Sequence, residues 1–225
     1  MMGSSIVVSG GTGILGRELY KIDNSLVCID SSFDIFDFRK LKDFLDEFRP
    51  EIIIHCASIK TEGVDKSPIH AINVNIIGSA NLSKYCIENK IRLVYISTDY
   101  VYPGKDGNYK ESDYLYPHNK YSWTKLAGEA STLLVDNHLI IRTSFGESIF
   151  PYEQAYDNLF TSKDYVDIIA PMILKASLSK ETGVINIGTD RKSLFEYANY
   201  RNDIDSSSLN NQKDFSLNTD KFKNL

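Results

Sequence analysis

Tyr121 and Lys125 stand four residues apart in the stretch Tyr121-Ser122-Trp123-Thr124-Lys125. The surrounding segment, Asn119 to Val135, carries apolar Trp123, Leu126, Ala127 and Ala130, has no internal proline and follows Pro117, a pattern that predicts a helix. Residues four apart share one helix face, so a phenol and an ammonium can converge there. A nearby cation favours the phenolate and lowers the pKa of a tyrosine. A tyrosine so tuned can exchange the proton that reduction of a ketone requires. Such pairs occur on many helices, so this one needs partners from elsewhere in the chain.

The first partner is a glycine turn. Ile6-Val7-Val8-Ser9 leads into Gly10-Gly11-Thr12-Gly13-Ile14-Leu15-Gly16, followed by the helical Arg17-Glu18-Leu19-Tyr20. Strand, glycine turn and helix are the setting of a dinucleotide site. There glycines let backbone approach a pyrophosphate and the helix N-terminus faces the phosphates. Gly10, Gly13 and Gly16 are not spaced as in the commoner fingerprint. A second strand, Leu26 to Ile29, ends at Asp30, about twenty residues after the first glycine, where an acid can bond an adenosine ribose. Its position and sign favour NAD over NADP, while Arg17 leaves room for a 2′-phosphate.

The elements that must hold these groups alternate. A helix is expected over Phe38 to Phe48, a buried strand over Ile52-Ile53-Ile54-His55-Cys56-Ala57, and a helix over Asp65 to Asn89 with Ala71, Val74, Ile77, Leu82 and Ile87 as its buried stripe. Leu93 to Ile96 is the next strand and carries Ser97-Thr98-Asp99 at its end, and His138 to Arg142 is a further strand. The alternation implies an α/β fold with a Rossmann-type doubly wound parallel sheet. Ligands of such sheets sit beyond the C-terminal strand ends, where Gly10, Asp30, Ala57, Thr98 and Thr143 all fall. Past Ser144 a helix over Asp164 to Ser179, a strand over Val184 to Ile187 and a short helix over Leu194 to Tyr200 remain. The division expected is residues 1–143, a dinucleotide-binding domain with the catalytic groups, and 144–225, a small lobe intertwined with the sheet. From Asn202 the chain is polar and reads as a loose tail.

The other candidates are less directive. Arg142 at a strand end is either a ligand for a substrate phosphate or the partner of a carboxylate. Arg191, Lys192 and Arg201 are phosphate candidates or a solvated face. Phe145, Phe150, Tyr152 and Tyr156 floor a sugar pocket or fill a packing gap. His55 reads as a group packed near the cleft, and His70, His118 and His138 have no metal-ligand spacing, so no metal is expected. Trp123 reads as core or a subunit contact.

Composition bounds the rest. The 225 residues suffice for one large domain, and 42% hydrophobic with 24% charged residues is ordinary for a globular protein. A net charge of −5 argues against a general nucleic-acid or anionic-membrane binder. Cys28, Cys56 and Cys86 read as reduced thiols of a cytoplasmic protein. The start of the chain has too short an apolar run for a signal peptide, and Met2-Gly3-Ser4-Ser5-Ile6-Val7 lacks the hydroxyl residue a myristoylation signal needs.

Three motifs in order, Gly10 to Gly16, Ser97-Thr98-Asp99-Tyr100-Val101-Tyr102, and Tyr121 to Lys125 with Gly128-Glu129, resemble the extended short-chain dehydrogenase/reductase superfamily. Ile96 to Gly104, Glu111-Ser112-Asp113, Pro117 to Tyr121 and Ser216 to Phe222 are most similar to its dTDP-4-dehydrorhamnose reductase branch. The resemblance implies a keto-sugar nucleotide reductase of deoxysugar biosynthesis using NAD or NADP. In it Tyr121 donates the proton, Lys125 lowers its pKa and holds the nicotinamide ribose, and Thr98 bonds the substrate carbonyl. It further implies that Gly13, Ile14 and Leu15 meet the pyrophosphate, Asp30 the ribose, Asp37 and Phe38 the adenine, Ala57 and Ser58 the nicotinamide, and Asp99 the sugar. Relatives often form homodimers, and the partner implied is a small nucleotide sugar. The stretch after Ile140 is shorter than in that branch, so the sugar-nucleotide lobe is reduced. An epimerase or dehydratase on the same scaffold, or a cofactor-binding regulatory protein, are the alternatives.

Overall fold

A computed structural model describes residues 5–225; the first half of the stretch weighed for myristoylation, Met2 to Ser4, lies outside them. Six strands form the central sheet: β1 (Ile6–Ser9), β2 (Val27–Ile29), β3 (Ile52–His55), β4 (Arg92–Thr98), β5 (His138–Thr143) and β6 (Gly183–Ile187). Their order is β6-β5-β4-β3-β1-β2 and every pairing is parallel. Since β1 runs on to β2 on one side and β3 lies on its other side, the sheet switches direction between β1 and β3. That is where ligands of wound sheets lie.

Alternating residues of each strand feed two cores. Val8, Ile54, Val94, Ile96, Ile141 and Ile185 meet α1 (Ile14–Ile22) and α5 (Val166–Leu178) on one face. Val7, Ile53 and Leu93 meet α2 (Phe38–Phe48) and α3 (Ser79–Asn89) on the other. Strands covered on both faces are continuous apolar runs, as their sequences are. The expected fold class therefore holds.

The single helix expected over Asp65 to Asn89 is in fact four pieces: Thr61–Lys66, Pro68–Ala71, a π-helical turn over Ile72–Gly78, and α3. Pro68 breaks the first junction, and the wider turn shifts the helical phase of the residues after it. Ala71 and Leu82 are buried as expected, whereas Ile77 and Ile87 are 41% and 49% exposed. The chain after Asn202 is no loose tail. Asp205–Ser207 pairs with Gln154–Tyr156, Lys213–Asp214 pairs with Leu159–Thr161, and Phe215, Leu217 and Phe222 are buried. No helix among the described residues is long and apolar enough to cross a membrane.

Candidate active site

Tyr121 and Lys125 sit on α4 (Lys120–Thr132), whose start is fixed by a reciprocal cap. Asn119 accepts from the Ser122 amide, and the Ser122 hydroxyl lies 3.3 Å from the Asn119 amide. Lys125 is 2% exposed, with its Nζ 4.2 Å from the centroid of the Tyr95 ring. Burial pushes its pKa down to about 7, against the pull of Cys56 and Glu129. The Tyr121 phenol is moved the other way, up to about 12, by burial and by the Asp99 carboxylate. Ser58 beside it acts against that rise, although the Ser58 oxygen makes no hydrogen bond of good geometry. The Lys125 ammonium lies on the Tyr95 ring, while the influences on the Tyr121 phenol are burial, Ser58 and Asp99.

Thr98 ends β4 and accepts the Tyr100 amide, at 3.2 Å, while its hydroxyl donates to Asp99 Oδ1, also at 3.2 Å. Asp99 is 1% exposed and its pKa is pushed up to about 7, by burial above all, with Lys163 opposing. Four buried side-chain atoms lack a partner among the described residues. Three of them, Ser58 Oγ, Asp99 Oδ2 and Thr143 Oγ1, stand at or just past the ends of β3, β4 and β5. Buried polar atoms are nearly always bonded, so three orphans on one rim mark a place shaped for a ligand.

The glycine turn occupies the same rim. Gly10 has φ +75°, and a Cβ there would lie 2.7 Å from the Ala57 backbone, so the ends of β1 and β3 touch only because Gly10 has no side chain. Gly13 precedes α1, Ile14 and buried Leu15 form its first turn, and Gly16 packs back on Gly10 and Gly11. Asp30 past β2 is exposed and accepts from both the amide and the hydroxyl of Ser32, which lower its pKa. Asp37 caps α2 by accepting from Arg39 and Lys40, and the Phe38 ring lies under Lys84.

Two groups stand behind the rim: Asn75, which the sequence did not single out, and His55, which it read as packed near the cleft. Asn75 in the π-helical turn bonds both the amide and the carbonyl of Ile59, at 2.7 and 3.0 Å, and Thr124 at 2.8 Å. It thus ties the Ser58–Ile59 loop to α4; π turns recur at functional sites for such reasons. His55 lies between Ser9, 2.6 Å from Nδ1, and Ser79, 2.8 Å from Nε2. Ser79 donates to the Asn75 carbonyl, so His55 Nε2 carries the proton and Nδ1 accepts from Ser9.

Of the two readings left open for Arg142, the substrate-ligand one is corrected in favour of the carboxylate partner. Arg142 is 4% exposed and makes a two-point ion pair with Glu129, at 3.1 and 2.8 Å, while Nη1 donates to the Tyr102 hydroxyl and the Glu111 carbonyl. With its donors so engaged it is a structural partner of Glu129 and no substrate ligand. The cations of the last third are likewise engaged: Arg191 with Asp214, Lys192 with Asp164, Arg201 with Asp167. Lys163, which the sequence did not single out, has no such partner among the described residues; only its place before α5 could have drawn notice.

Fold and rim together define a doubly wound α/β protein of the Rossmann type. The family model described as RmlD substrate binding domain matches residues 4–169, and the chain belongs to that family. It is 32% identical over 144 residues to methionine adenosyltransferase 2 subunit beta of Xenopus tropicalis, covering 58% of this chain and 43% of that protein. It is also 32% identical over 181 residues to dTDP-4-dehydrorhamnose reductase of Aggregatibacter actinomycetemcomitans, covering 75% of this chain and 61% of that one. The chain thus spans about two fifths to three fifths of the length of these curated relatives. The crystal structure of dTDP-4-dehydrorhamnose reductase from Bacillus anthracis in complex with NADP superposes with a TM-score of 0.88 at 24% identity, covering 99% of this chain and 92% of that one, a likeness of fold.

Proposed function

We propose that the chain is an NAD(P)-dependent reductase acting on the ketone of a nucleotide-activated sugar, a 4-keto-6-deoxy sugar in particular. The observation that carries this reading is one rim holding both a glycine turn against Ala57 and the cluster Tyr121, Ser58, Thr98 and Asp99. The cradle suits a dinucleotide, because backbone comes close at Gly10 and the N-terminus of α1 opens beside it. Gly13, Ile14 and Leu15 would take the pyrophosphate, Asp30 the adenosine ribose, and the turn at Asp37-Phe38 the adenine. Ala57 and Ser58 would border the nicotinamide, and Lys125 would hold its ribose. The nicotinamide supplies the hydride for the carbonyl carbon.

The chain's own groups handle the oxygen. Thr98 and Tyr121 hydrogen-bond it, and Tyr121, fully protonated at neutral pH with a pKa near 12, gives it a proton as charge develops. Lys125, near 7, exchanges protons readily at working pH. Asp30 stays ionised under the Ser32 bonds and opposes a 2′-phosphate, so NADH is the preferred donor. In this reading residues 1–143 bind the dinucleotide, residues 144–225 hold the sugar end, and the protein works in the cytoplasm.

Tyr121→Phe is expected to keep NADH binding and to lose turnover by roughly 10²- to 10⁴-fold; an active Phe variant overturns the role. Asp30→Ala should weaken NADH more than NADPH, and equal effects would refute the ribose assignment. Stoichiometric NADH oxidation by a dTDP-4-keto-6-deoxy sugar separates a reductase from an epimerase or dehydratase, which regenerate their NAD. One observation favours a second reading: relatives bear the name of a methionine adenosyltransferase subunit. NADH binding with no turnover on any keto sugar would select a non-catalytic, cofactor-binding role.

A further inference from the structure

We propose that Lys163 is a substrate-positioning residue, its ammonium and the Asp99 carboxylate forming an open donor–acceptor pair that takes one hydroxyl of the sugar. The proposal rests on the nucleotide-sugar reading above and adds a contact from outside its motifs.

Lys163 is largely buried, yet its Nζ has no hydrogen-bond acceptor and no ion-pair partner among the described residues. Its stem passes over Gly146, where an added Cβ would meet Cε at 3.2 Å, and its Nζ lies 5.3 Å from the Tyr197 ring centroid. The backbone that carries it is fixed on both sides. The Lys163 amide donates to Thr161, its carbonyl accepts from Lys192, and Ser162 bonds the amides of Thr189 and Leu217. The side chain thus starts from a firmly bonded base and ends beside Gly146 and the Tyr197 ring.

Asp99 answers it from the end of β4. Its Oδ1 accepts from Thr98, while buried Oδ2 has no partner. Thr98 and Thr143 are paired at the ends of β4 and β5. Asp99, just past Thr98, and the Lys163 stem over Gly146, just past Thr143, therefore stand on the same rim. Lys163 and Asp99 each shift the other's proton affinity, and they do not form an ion pair. Burial opposes the charge on both, so the pair is strained until something polar bridges it. A bridging group must accept from an ammonium and donate to a carboxylate. A hydroxyl does both. A phosphate or carboxylate can only accept and is repelled by Asp99; an ammonium can only donate and is repelled by Lys163. Exposed Lys60, which also feels Lys163, keeps the mouth positive without competing for Asp99. Because Asp99 adjoins Thr98, the hydroxyl so held lies on a carbon near the reacting carbonyl.

The test is calorimetric titration of the NADH-loaded protein with dTDP and with dTDP-L-rhamnose, for the wild type, Lys163→Met and Lys163→Arg. In the wild type the sugar should add roughly ten- to hundred-fold over dTDP alone. Lys163→Met should erase most of that gain with dTDP and NADH affinities unchanged, and Lys163→Arg should restore part of it. Retention of the gain in Lys163→Met overturns the proposal. So does an equal loss for dTDP and dTDP-L-rhamnose, which would make the lysine a diphosphate ligand. If the wild type binds NADH and neither nucleotide, the nucleotide-sugar reading falls first and this proposal with it.

Discussion

At the scale of single residues, the rim holds charges that the fold disfavours. Lys125 has a folded pKa near 7 against 10.5 for a free lysine. A depressed amine contributes its full stability above the unfolded value and loses it as pH falls toward the folded one. At pH 7 this loss is on the order of 4 kcal/mol. Lys125→Met should therefore melt higher than the wild type at pH 7, and the two should converge toward pH 10.5, while the variant loses turnover. A lower melting temperature at pH 7 would show that the contact with Tyr95 outweighs desolvation. Asp99 runs in the opposite sense, with a folded pKa near 7 against 3.8. Its contribution is full below 3.8 and is lost as pH rises through 7. Asp99→Asn should accordingly gain on the wild type progressively between about pH 4 and pH 8, as read from urea midpoints. Active sites commonly hold such strain, because groups poised to react are seldom those that stabilise best.

At the scale of elements, the π-helical turn decides which side chains reach the rim. Asn75 is 1% exposed and bonds three polar groups from two other segments, so Asn75→Ala leaves the Ile59 amide and carbonyl and the Thr124 hydroxyl short of partners. The expected cost is about 2–4 kcal/mol in chemical denaturation. Ile77→Ser, by contrast, should change stability by no more than about 0.5 kcal/mol in the isolated chain, because Ile77 faces outward. If Ile77→Ser proves costly and Asn75→Ala neutral, the phase assigned to this turn is wrong. The same turn marks the limit of what the sequence conveys. A regular 3.6-residue period placed Ala71 and Leu82 correctly, because local spacing governs a regular helix. It misplaced Ile77 and Ile87, because the extra residue of a π turn is stabilised by tertiary bonds such as those of Asn75. The strands, the glycine turn and α4 were legible for the converse reason: their apolar runs, glycines and caps act over a few residues. Arg142 and Lys163 were not. Whether a cation is engaged depends on partners such as Glu129, on another element.

At the scale of the whole molecule, the final residues close the fold over the segment that carries Lys163. Composition made them look loose, since polar residues dominate from Asn202 and the apolar ones follow no period. Burial there is sparse but well placed. Phe215 is 2% exposed and packs on Tyr100, which follows Asp99 in sequence, and on His118, with ring centroids 4.9 and 5.0 Å away. Its amide donates to the Phe160 carbonyl, and the Leu217 amide donates to the Ser162 hydroxyl, one residue on either side of Thr161. One short run of chain thus braces both the 3-10 turn after β4 and the strand that leads to Lys163. Deleting residues 213–225 removes the side chains of Phe215, Leu217 and Phe222, each worth about 1.5–3 kcal/mol when fully buried. Their sum rivals the total stability of an average domain, about 5–15 kcal/mol. The deletion should lower the melting temperature steeply, whereas Phe215→Ala alone should cost about 3–5 kcal/mol. The informative quantity is how that single change acts on ligands. A mere core residue would leave NADH and sugar-nucleotide affinity alike once the protein is folded. A brace for Asp99 and Lys163 should weaken dTDP-L-rhamnose while sparing dTDP and NADH, and equal effects on all three would assign Phe215 to packing alone.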